Sequence, residues 1–493
     1  MNYCTPEKAG IPSEKVLEFF TRLDAKKLST HSVVMARGNS IFAEGYYKPF
    51  DKDFKHRMYS VSKTFVSVAI GFCEQDGLIS LDDKLIKYFP EYVSDDSAHK
   101  MSYVTIRDML NMTTAIEFDG IWWFGTGTKD RVECYFRSNG DKYPGTLFCY
   151  DSPGSFMLGV IVEKVTGKKF LKYLQEKVLD DIGFSKDAYC LEAPGGHSFG
   201  DSGVMCTTKD LLLFARFVLN KGVWNGKRYL NEKYLTDATT MSVANNIDVY
   251  GFELFNGHGY GYQIWGMPHG CFAMLGMGGQ IAFCDPKHDF VFAINSDNQG
   301  NTLEYEPIFE ALYGSIIANL GDSSLSENEK AYKKLTDELS EKELFFLGGE
   351  KESEFASKID RKTFTCDTNR MGFKWFRFEF GENFGTLHYE NAQGVKAIKF
   401  GFGHNEIQKF PQENYSDMIA TYPEPGHKYE CACSADWQSE RQIRIRVQII
   451  DKYFGNLAMI FAFKDADHVT ARFHKVAEAF LDEYNGIMTA RSV

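Results

Sequence analysis

Long apolar runs are absent from the sequence: no stretch approaches the ~20 residues that a membrane-spanning helix needs. Residues 1–15, MNYCTPEKAGIPSEK, have neither a basic start nor an apolar stretch, so they do not look like a secretion signal. Positive charge is also in deficit, with 55 Lys and Arg against 67 Asp and Glu and a net charge of -12. This balance argues against nucleic acid or an anionic membrane as a main partner.

Patterns typical of disulfide frameworks and metal sites are missing as well. The 11 cysteines are odd in number and irregularly spaced, which indicates mostly reduced thiols and a cytoplasmic protein. Cys431 and Cys433 have no second pair at the spacing of a zinc site, and the 12 histidines show no metal-like spacing. We therefore expect neither a metal nor an organic cofactor.

The length of 493 residues exceeds what one ordinary core accommodates, so several domains are expected. We predict a main domain over residues 1–322, with a largely helical region at about 75–220. Residues 323–345 are polar and charge-mixed, which is typical of a linker or an exposed helix. Residues 346–493 carry short apolar and aromatic segments between Gly, Asn and Pro, which predicts a β-rich accessory domain such as a small barrel.

A lysine stands near the start of a segment that otherwise predicts a buried helix. From Thr64 to Phe72 the residues are apolar on nearly every face, and the pattern ends at Asp76-Gly77. Lys63 at the buried end of such a helix must be paired, functional or able to reach solvent. Ser60 lies three residues before Lys63, so on a helix the hydroxyl and the amine share one face.

Serine and lysine in this arrangement can perform nucleophilic catalysis. A serine hydroxyl is a weak nucleophile and needs a neighbouring base, and a desolvated lysine can lose its proton near neutral pH. The alternative is structural, with Ser60 as a helix cap and Lys63 extending to solvent. The Ser-x-x-Lys pattern is common, so taken alone it does not decide between the two.

Several further segments, in order, resemble the serine β-lactamase-like hydrolases: class C β-lactamases, DD-peptidases and their esterase and amidase relatives. They span residues 6 to about 320 and read HRMYSVSKTFVSVAIG, LDDKLIKYFPEY, VTIRDMLNMTT, PGTLFCYDSPGSFMLGVIVEKVTG, GVMCTTKDLLLFARFVLNKGVWNGKRYL, GHGYGYQIWG and GMGGQIAFCDP. The resemblance implies an α/β fold of the α+β type, in which helices flank a mostly antiparallel sheet.

The resemblance also implies site residues. Ser60 matches the family nucleophile, Lys63 the motif lysine, and Tyr150 the tyrosine of the Tyr-x-Asn element. A phenolate held near a lysine can act as a general base and later return the proton to the leaving group. Ser152 stands in place of the family asparagine and is expected to contact substrate with one hydrogen bond fewer.

The third family element departs further from the pattern. The family places Lys-Thr-Gly or His-x-Gly on a strand beside the nucleophile. Counting back from GQIAFCDP puts Met274-Leu275-Gly276 there, with no cation. We expect Met274 and Gly276 to contact substrate, and the N–H groups of Met277 and Ser60 to form the oxyanion hole.

Ser198 lies in a second sequence pattern that is typical of serine nucleophiles. Residues 196–200, Gly-His-Ser-Phe-Gly, match the Gly-x-Ser-x-Gly elbow, which needs a strand before it and a helix directly after it. The flanking EAPG and DSGVMCTT indicate a glycine-rich loop instead. An esterase that uses Ser198 and a histidine stays the alternative within enzymes, and His197 or His269 could line a pocket.

These observations predict a serine hydrolase that forms an acyl-enzyme at Ser60 and hydrolyses a small-molecule ester or amide, with weak or no β-lactamase activity. Two other functions stay open on the same fold. One is a non-catalytic protein that binds acyl groups or recognises penicillin, and the other is a peptidase or amidase specific for D-amino acids.

Overall fold

The chain divides into two compact units, the first ending at Glu343 and the second beginning at Leu344. A computed structural model describes residues 1–92, 100–116, 130–137, 140, 142–245, 257–299, 305–413, 426–477 and 481–492. Across these ranges no helix combines the length and the apolar composition that a bilayer crossing requires.

Twelve strands lie in the described part of the first unit. They are β1 (Asn2–Tyr3), β2 (Thr30–Arg37), β3 (Ser40–Tyr46), β4 (His56–Arg57), β5 (Tyr189–Cys190), β6 (Val204–Cys206), β7 (Val223–Trp224), β8 (Lys227–Arg228), β9 (Trp265–Gly266), β10 (Phe272–Gly276), β11 (Gln280–Asp285) and β12 (Phe290–Ser296). Seven of them form the main sheet in the order β1-β3-β2-β12-β11-β10-β9. Every pair in it is antiparallel except β1 with β3, which confirms the predicted mostly antiparallel sheet.

Eleven α-helices accompany these strands in the described ranges of the first unit. They are α1 (Ser13–Ala25), α2 (Ser62–Gln75), α3 (Ile106–Leu110), α4 (Arg131–Arg137), α5 (Ser152–Thr166), α6 (Phe170–Leu174), α7 (Asp180–Ile182), α8 (Thr208–Leu219), α9 (Glu232–Ala238), α10 (Glu306–Ala311) and α11 (Glu329–Ser340). A second sheet of three short strands, in the order β4-β6-β5, pairs the residues just before α2 with residues between α7 and α8.

Helix α2 lies at the centre of the first unit. All of its residues from Ser62 to Cys73 are buried, as its all-round apolar sequence predicts. It packs against α5 and α6, while α8 packs on β2, β11 and β12 of the main sheet. A capping box between Thr207 and Asp210 fixes the start of α8. The buried lysine near the start of α2 is therefore held by helices on several sides.

The segment expected to be a linker, 323–345, contains helix α11, which packs on α1 and β3. Leu335 and Leu339 of this helix are buried in the apolar core that α1 shares with the main sheet. Because the two leucines are four residues apart, they lie on one face of the helix while its charged residues face solvent. This helix therefore forms part of the first unit.

The second unit is a closed β-barrel, in agreement with the predicted β-rich C-terminal domain. Its described elements are α12 (Ala356–Ile359), β13 (Thr363–Cys366), β14 (Trp375–Phe380), β15 (Phe384–Asn391), β16 (Gly394–Phe402), β17 (Glu406–Lys409), β18 (Glu430–Ser439), β19 (Gln442–Ile450), β20 (Phe454–Phe463), β21 (His468–Val476) and β22 (Gly486–Ser492). The sheet runs β16-β15-β14-β13-β22-β21-β20-β19-β18-β17, and a parallel pairing of β16 with β18 closes it.

Aromatic side chains pack together inside this barrel. The rings of Phe376 and Phe378 each lie 5.0 Å from that of Phe461, and the ring of Phe373 lies 5.0 Å from that of Tyr389. All five side chains are buried. These ring contacts form part of the buried apolar core of the second unit.

We predict that Leu335→Ala destabilises the first unit by about 2–5 kcal/mol, because it removes a side chain that is 1% exposed from the core. Leu325→Ala is the matched control, since Leu325 is 40% exposed, and its effect should stay within about 0.5 kcal/mol. Urea unfolding of the full chain measures both. Equal unfolding midpoints for the two variants would show that α11 contributes nothing to the first unit.

Candidate active site

Ser60 lies in a single 3-10 turn, Tyr59–Val61, that leads directly into helix α2. The preceding Tyr59 is buried and has a φ of 47°, in the left-handed region that non-glycine residues seldom adopt. Such strained backbone persists only where the surrounding structure imposes it, and it is concentrated at functional sites. The turn places the Ser60 hydroxyl at the N-terminal end of the buried helix.

Lys63 lies next to Ser60, as the spacing of the two residues in the sequence predicts. Its Nζ lies 2.8 Å from Ser60 Oγ and donates a second hydrogen bond of 2.7 Å to the backbone carbonyl of Asp201. Lys63 is 1% exposed, and this burial lowers the pKa of its amine to about 8. The amine is therefore mostly protonated at pH 7, and its neutral form predominates only above about pH 8.

Tyr150 completes the predicted trio. The side chains of Ser60 and Ser152 are among the groups that influence the pKa of its hydroxyl, and Lys63 Nζ lies 5.2 Å from the centre of its ring. The ring of Trp265 stacks on Tyr150 with the two centroids 5.7 Å apart. Burial raises the pKa of Tyr150, so at neutral pH the side chain is a protonated phenol.

Asp151 anchors the segment that carries Tyr150. One carboxylate oxygen caps helix α5 by accepting from the Gly154 N–H (2.8 Å). The other accepts hydrogen bonds from the hydroxyls of Thr114 (2.7 Å) and Tyr135 (3.0 Å). This buried anchor explains why the Asp-Ser-Pro-Gly sequence, a helix start with proline in the first turn, directly follows Tyr150.

Strand β10 brings Gly276 against the Ser60 turn. A Cβ added at Gly276 would lie 2.3 Å from the Met58 carbonyl oxygen and 3.3 Å from the Ser60 nitrogen, so no larger residue fits. Met277 is the next residue along the chain. Over the described residues, the N–H groups of Ser60 and Met277 have no hydrogen-bond acceptor. Two such N–H groups are the donors that an oxyanion hole needs.

The two other residues predicted to contact substrate, Met274 and Ser152, are both buried. The side chain of Met274 is on strand β10 with Gly276 and is 1% exposed. Ser152 is also 1% exposed and is among the side chains that influence the pKa of Tyr150. Where the family has an asparagine, this chain therefore has a buried serine two residues after Tyr150.

Ser198, the second candidate nucleophile, is hydrogen-bonded to a carboxylate and, within the described ranges, not to a histidine. Ser198 Oγ donates a hydrogen bond of 2.6 Å to Glu163, and His197 Nδ1 contacts the other oxygen of the same carboxylate at 2.8 Å. A nucleophile would need its hydroxyl on the histidine, whereas here the carboxylate lies between the two groups. His269 is exposed in a 3-10 turn, Pro268–Gly270, and its ring lies 6.2 Å from that of Tyr313.

Three residues at the site were given no role from the sequence. They are Trp265, which stacks on Tyr150, and the buried pair Arg131 and Asp201, which lies behind Lys63. Trp265 follows the glycine-rich GHGYGYQ segment, and Asp201 lies in the loop of the discarded elbow motif. In the ranges that the structure describes, no cluster of three or more His, Cys, Asp or Glu could hold a metal ion.

Comparisons with known proteins agree with this arrangement. The family model named Beta-lactamase matches residues 18–313. A 6-aminohexanoate-dimer hydrolase of Paenarthrobacter ureafaciens is 25% identical over 285 residues, which are 53% of this chain and 71% of that protein.

Two solved structures share the fold. The first is a putative 6-aminohexanoate-dimer hydrolase from Bacillus anthracis, with a TM-score of 0.52, 21% identity, and 61% of this chain and 80% of the other covered. The second is a family VIII carboxylesterase, with a TM-score of 0.51, 15% identity, and 64% and 99% covered.

We predict that Gly276→Ala slows covalent labelling of Ser60 by a fluorophosphonate by about 10²-fold, the usual effect of losing one oxyanion donor. The added methyl group would push β10 away from the Ser60 turn. Gly348→Ala is the control, because its Cβ would meet nothing within 4 Å. Unchanged labelling in folded Gly276→Ala protein would show that this close approach is not needed.

Proposed function

The chain belongs to the Beta-lactamase family, and from that premise we propose that it is a serine hydrolase that forms an acyl-enzyme at Ser60. The observation that carries the proposal is the distance of 2.8 Å between Ser60 Oγ and the Nζ of Lys63, a buried amine. A serine nucleophile requires a neighbouring base, and the amine of Lys63 is in hydrogen-bond contact with the Ser60 hydroxyl.

The first chemical step would join Ser60 Oγ to the carbonyl carbon of an ester or amide. The neutral amine of Lys63 accepts the hydroxyl proton as the new C–O bond forms. The carbonyl oxygen takes up the negative charge, and the N–H groups of Ser60 and Met277 stabilise it. Both groups belong to backbone that the close approach of Gly276 holds together.

Collapse of this intermediate expels the alcohol or amine, which needs a proton. Tyr150 is suited to deliver it, since its raised pKa keeps it a phenol and its ring lies next to the amine that contacts Ser60. The proton on Lys63 can then restore Tyr150. This assignment gives Lys63 the role of base and Tyr150 the role of acid, and does not require a phenolate at the start of the reaction.

Hydrolysis of the acyl-enzyme would use the same groups in reverse. Water enters where the leaving group was, loses a proton to the base and attacks the ester carbon, and Ser60 Oγ leaves with a proton. Every side chain in this scheme belongs to the first unit, so we propose that the barrel supplies neither the nucleophile nor the base.

A small neutral ester or amide is the substrate that these residues support best. The family cation next to the nucleophile is replaced by the buried Met274, so no charge at that position is available to hold a carboxylate. A relative named for hydrolysing a 6-aminohexanoate dimer supports a small amide as the bond that is cleaved, and the preference for a neutral substrate rests on Met274 alone. We propose correspondingly weak or no β-lactamase activity.

We predict that Ser60→Ala abolishes labelling by a fluorophosphonate and all turnover, while Lys63→Ala and Tyr150→Phe each lower kcat/KM by about 10²–10⁴-fold. Mass spectrometry of the labelled protein identifies the modified residue. Ser198→Ala is the control and should be labelled like the unaltered protein. A label on Ser198, or none on the folded protein, would contradict the proposal and favour the Ser198 esterase or the acyl-binding protein respectively.

Substrate charge provides a separate prediction. For two substrates that differ only in a free carboxylate against its methyl ester, the neutral form should have the higher kcat/KM. A missing charged hydrogen bond of about 1.5–3 kcal/mol corresponds to roughly a ten- to hundredfold difference in affinity. Faster hydrolysis of the carboxylate form would mean that another cation replaces the family lysine, and rapid hydrolysis of a cephalosporin would contradict the proposed specificity.

A further inference from the structure

Charged side chains surround Lys63 within the protein interior. Those that act on its amine are the carboxylates of Asp201 and Asp151 and the guanidinium groups of Arg131 and Arg57, next to the hydroxyls of Ser60 and Tyr150. The mechanism above uses the two hydroxyls only. The four charges have no role in it, although ions buried this deeply are costly to maintain.

Two of these charges are engaged elsewhere. Asp151 accepts three hydrogen bonds, from Thr114, Tyr135 and the Gly154 N–H, and so anchors helix α5. Arg57 donates to the carbonyl and the hydroxyl of Ser202 at 3.1 and 3.0 Å. Their contacts account for their presence.

Asp201 has a different environment. The residue is 0% exposed, and over the described ranges neither of its carboxylate oxygens has a hydrogen-bond donor. The nearest cation recorded for it is Arg131, whose NH1 lies 3.9 Å from Oδ1. The backbone carbonyl of the same residue receives the hydrogen bond from Lys63 Nζ. One residue thus both contacts the amine and places a buried negative charge beside it.

Arg131 lies against two aromatic rings. Its guanidinium lies 4.8 Å from the centre of the Phe156 ring and 4.6 Å from that of Phe199, and both rings are fully buried. Stacking on aromatic rings is a favourable setting for a guanidinium that must stay in an apolar interior. The positive partner of Asp201 therefore has stabilising contacts of its own.

We propose that Asp201 is a positioning residue for Lys63, and that Asp201 and Arg131 together set the pH at which Lys63 can act as base. The backbone carbonyl of Asp201 orients the amine toward Ser60. Its carboxylate favours the protonated amine, and the Arg131 guanidinium opposes this effect. The inference rests on the proposed function, because it assigns a role within that reaction.

The signs of the two charges make the inference testable. Burial lowers the pKa of Lys63 to about 8, so the labelling rate of Ser60 should rise with pH through that region as the amine loses its proton. Asp201→Asn removes the negative charge, leaves Arg131 unbalanced and should move this rise to lower pH by about one unit. The backbone carbonyl remains, so the plateau rate should change less than tenfold.

A double substitution distinguishes charge from damage. In Asp201→Asn/Arg131→Met both charges are gone, and the rise should return to within about 0.3 pH unit of the unaltered protein. A merely structural role predicts the opposite, since a second disruptive change adds to the first. If Asp201→Asn alone does not fold, the double variant still tests the inference through its pH profile, because replacing both members of a buried ion pair is often tolerated.

The experiment measures the second-order rate constant for fluorophosphonate labelling of the full-length protein between about pH 5 and 10. Asp285→Asn is the matched control, as Asp285 is 2% exposed but is not among the charges that act on Lys63, and its profile should not move. A shift for Asp201→Asn that the double variant reverses supports the inference.

Two results overturn it, and they are distinguishable. If the unaltered protein is labelled at Ser60 but Asp201→Asn leaves the profile in place or moves it to higher pH, this inference alone fails. The same holds if the double variant moves the profile by a full unit in either direction. If the unaltered protein is not labelled at Ser60 at all, the proposed function fails and the inference with it.

Discussion

The burial of one amine determines the arrangement of the first unit. Lys63 has lost nearly all contact with water, and two hydrogen bonds, to Ser60 Oγ and the Asp201 carbonyl, replace part of its hydration. An amine can be held there only if the helix that carries it is covered on every side. The apolar faces of α2 and the packing of α5 and α6 against it meet that requirement. Desolvation is then the largest influence on the pKa of the amine, which it lowers.

Three distant parts of the chain meet at this amine, and each is fixed by its own local device. The Tyr150 segment is held by the buried Asp151 cap of α5, and the Ser60 turn by the close approach of Gly276 in β10. The loop around Asp201 is fixed through Ser202, which Arg57 binds. None of these anchors takes part in the proposed chemistry. They hold the reacting groups in place before a substrate arrives, so that little reorganisation accompanies the reaction.

Much of this arrangement could be predicted from the sequence, and the part that could not has a common cause. Ser60 and Lys63 are three residues apart on one helix, and the order of several segments matched a known family. Asp201 and Arg131 are 70 residues apart, and only the fold brings their side chains together. In α11, the charge of the segment obscured Leu335 and Leu339, whose four-residue spacing was the available signal for a packed helix.

Desolvation moves the pKa values of the two proton-transfer groups in opposite directions. It lowers the pKa of Lys63 and raises that of Tyr150, because in each case it disfavours the charged form. A neutral amine accepts a proton and a neutral phenol donates one, so the same environment prepares a base and an acid next to a single hydroxyl. Charges nearby would disturb this balance unless they were themselves opposed. A buried carboxylate beside Lys63 is therefore compatible with the site when a guanidinium such as that of Arg131 offsets it.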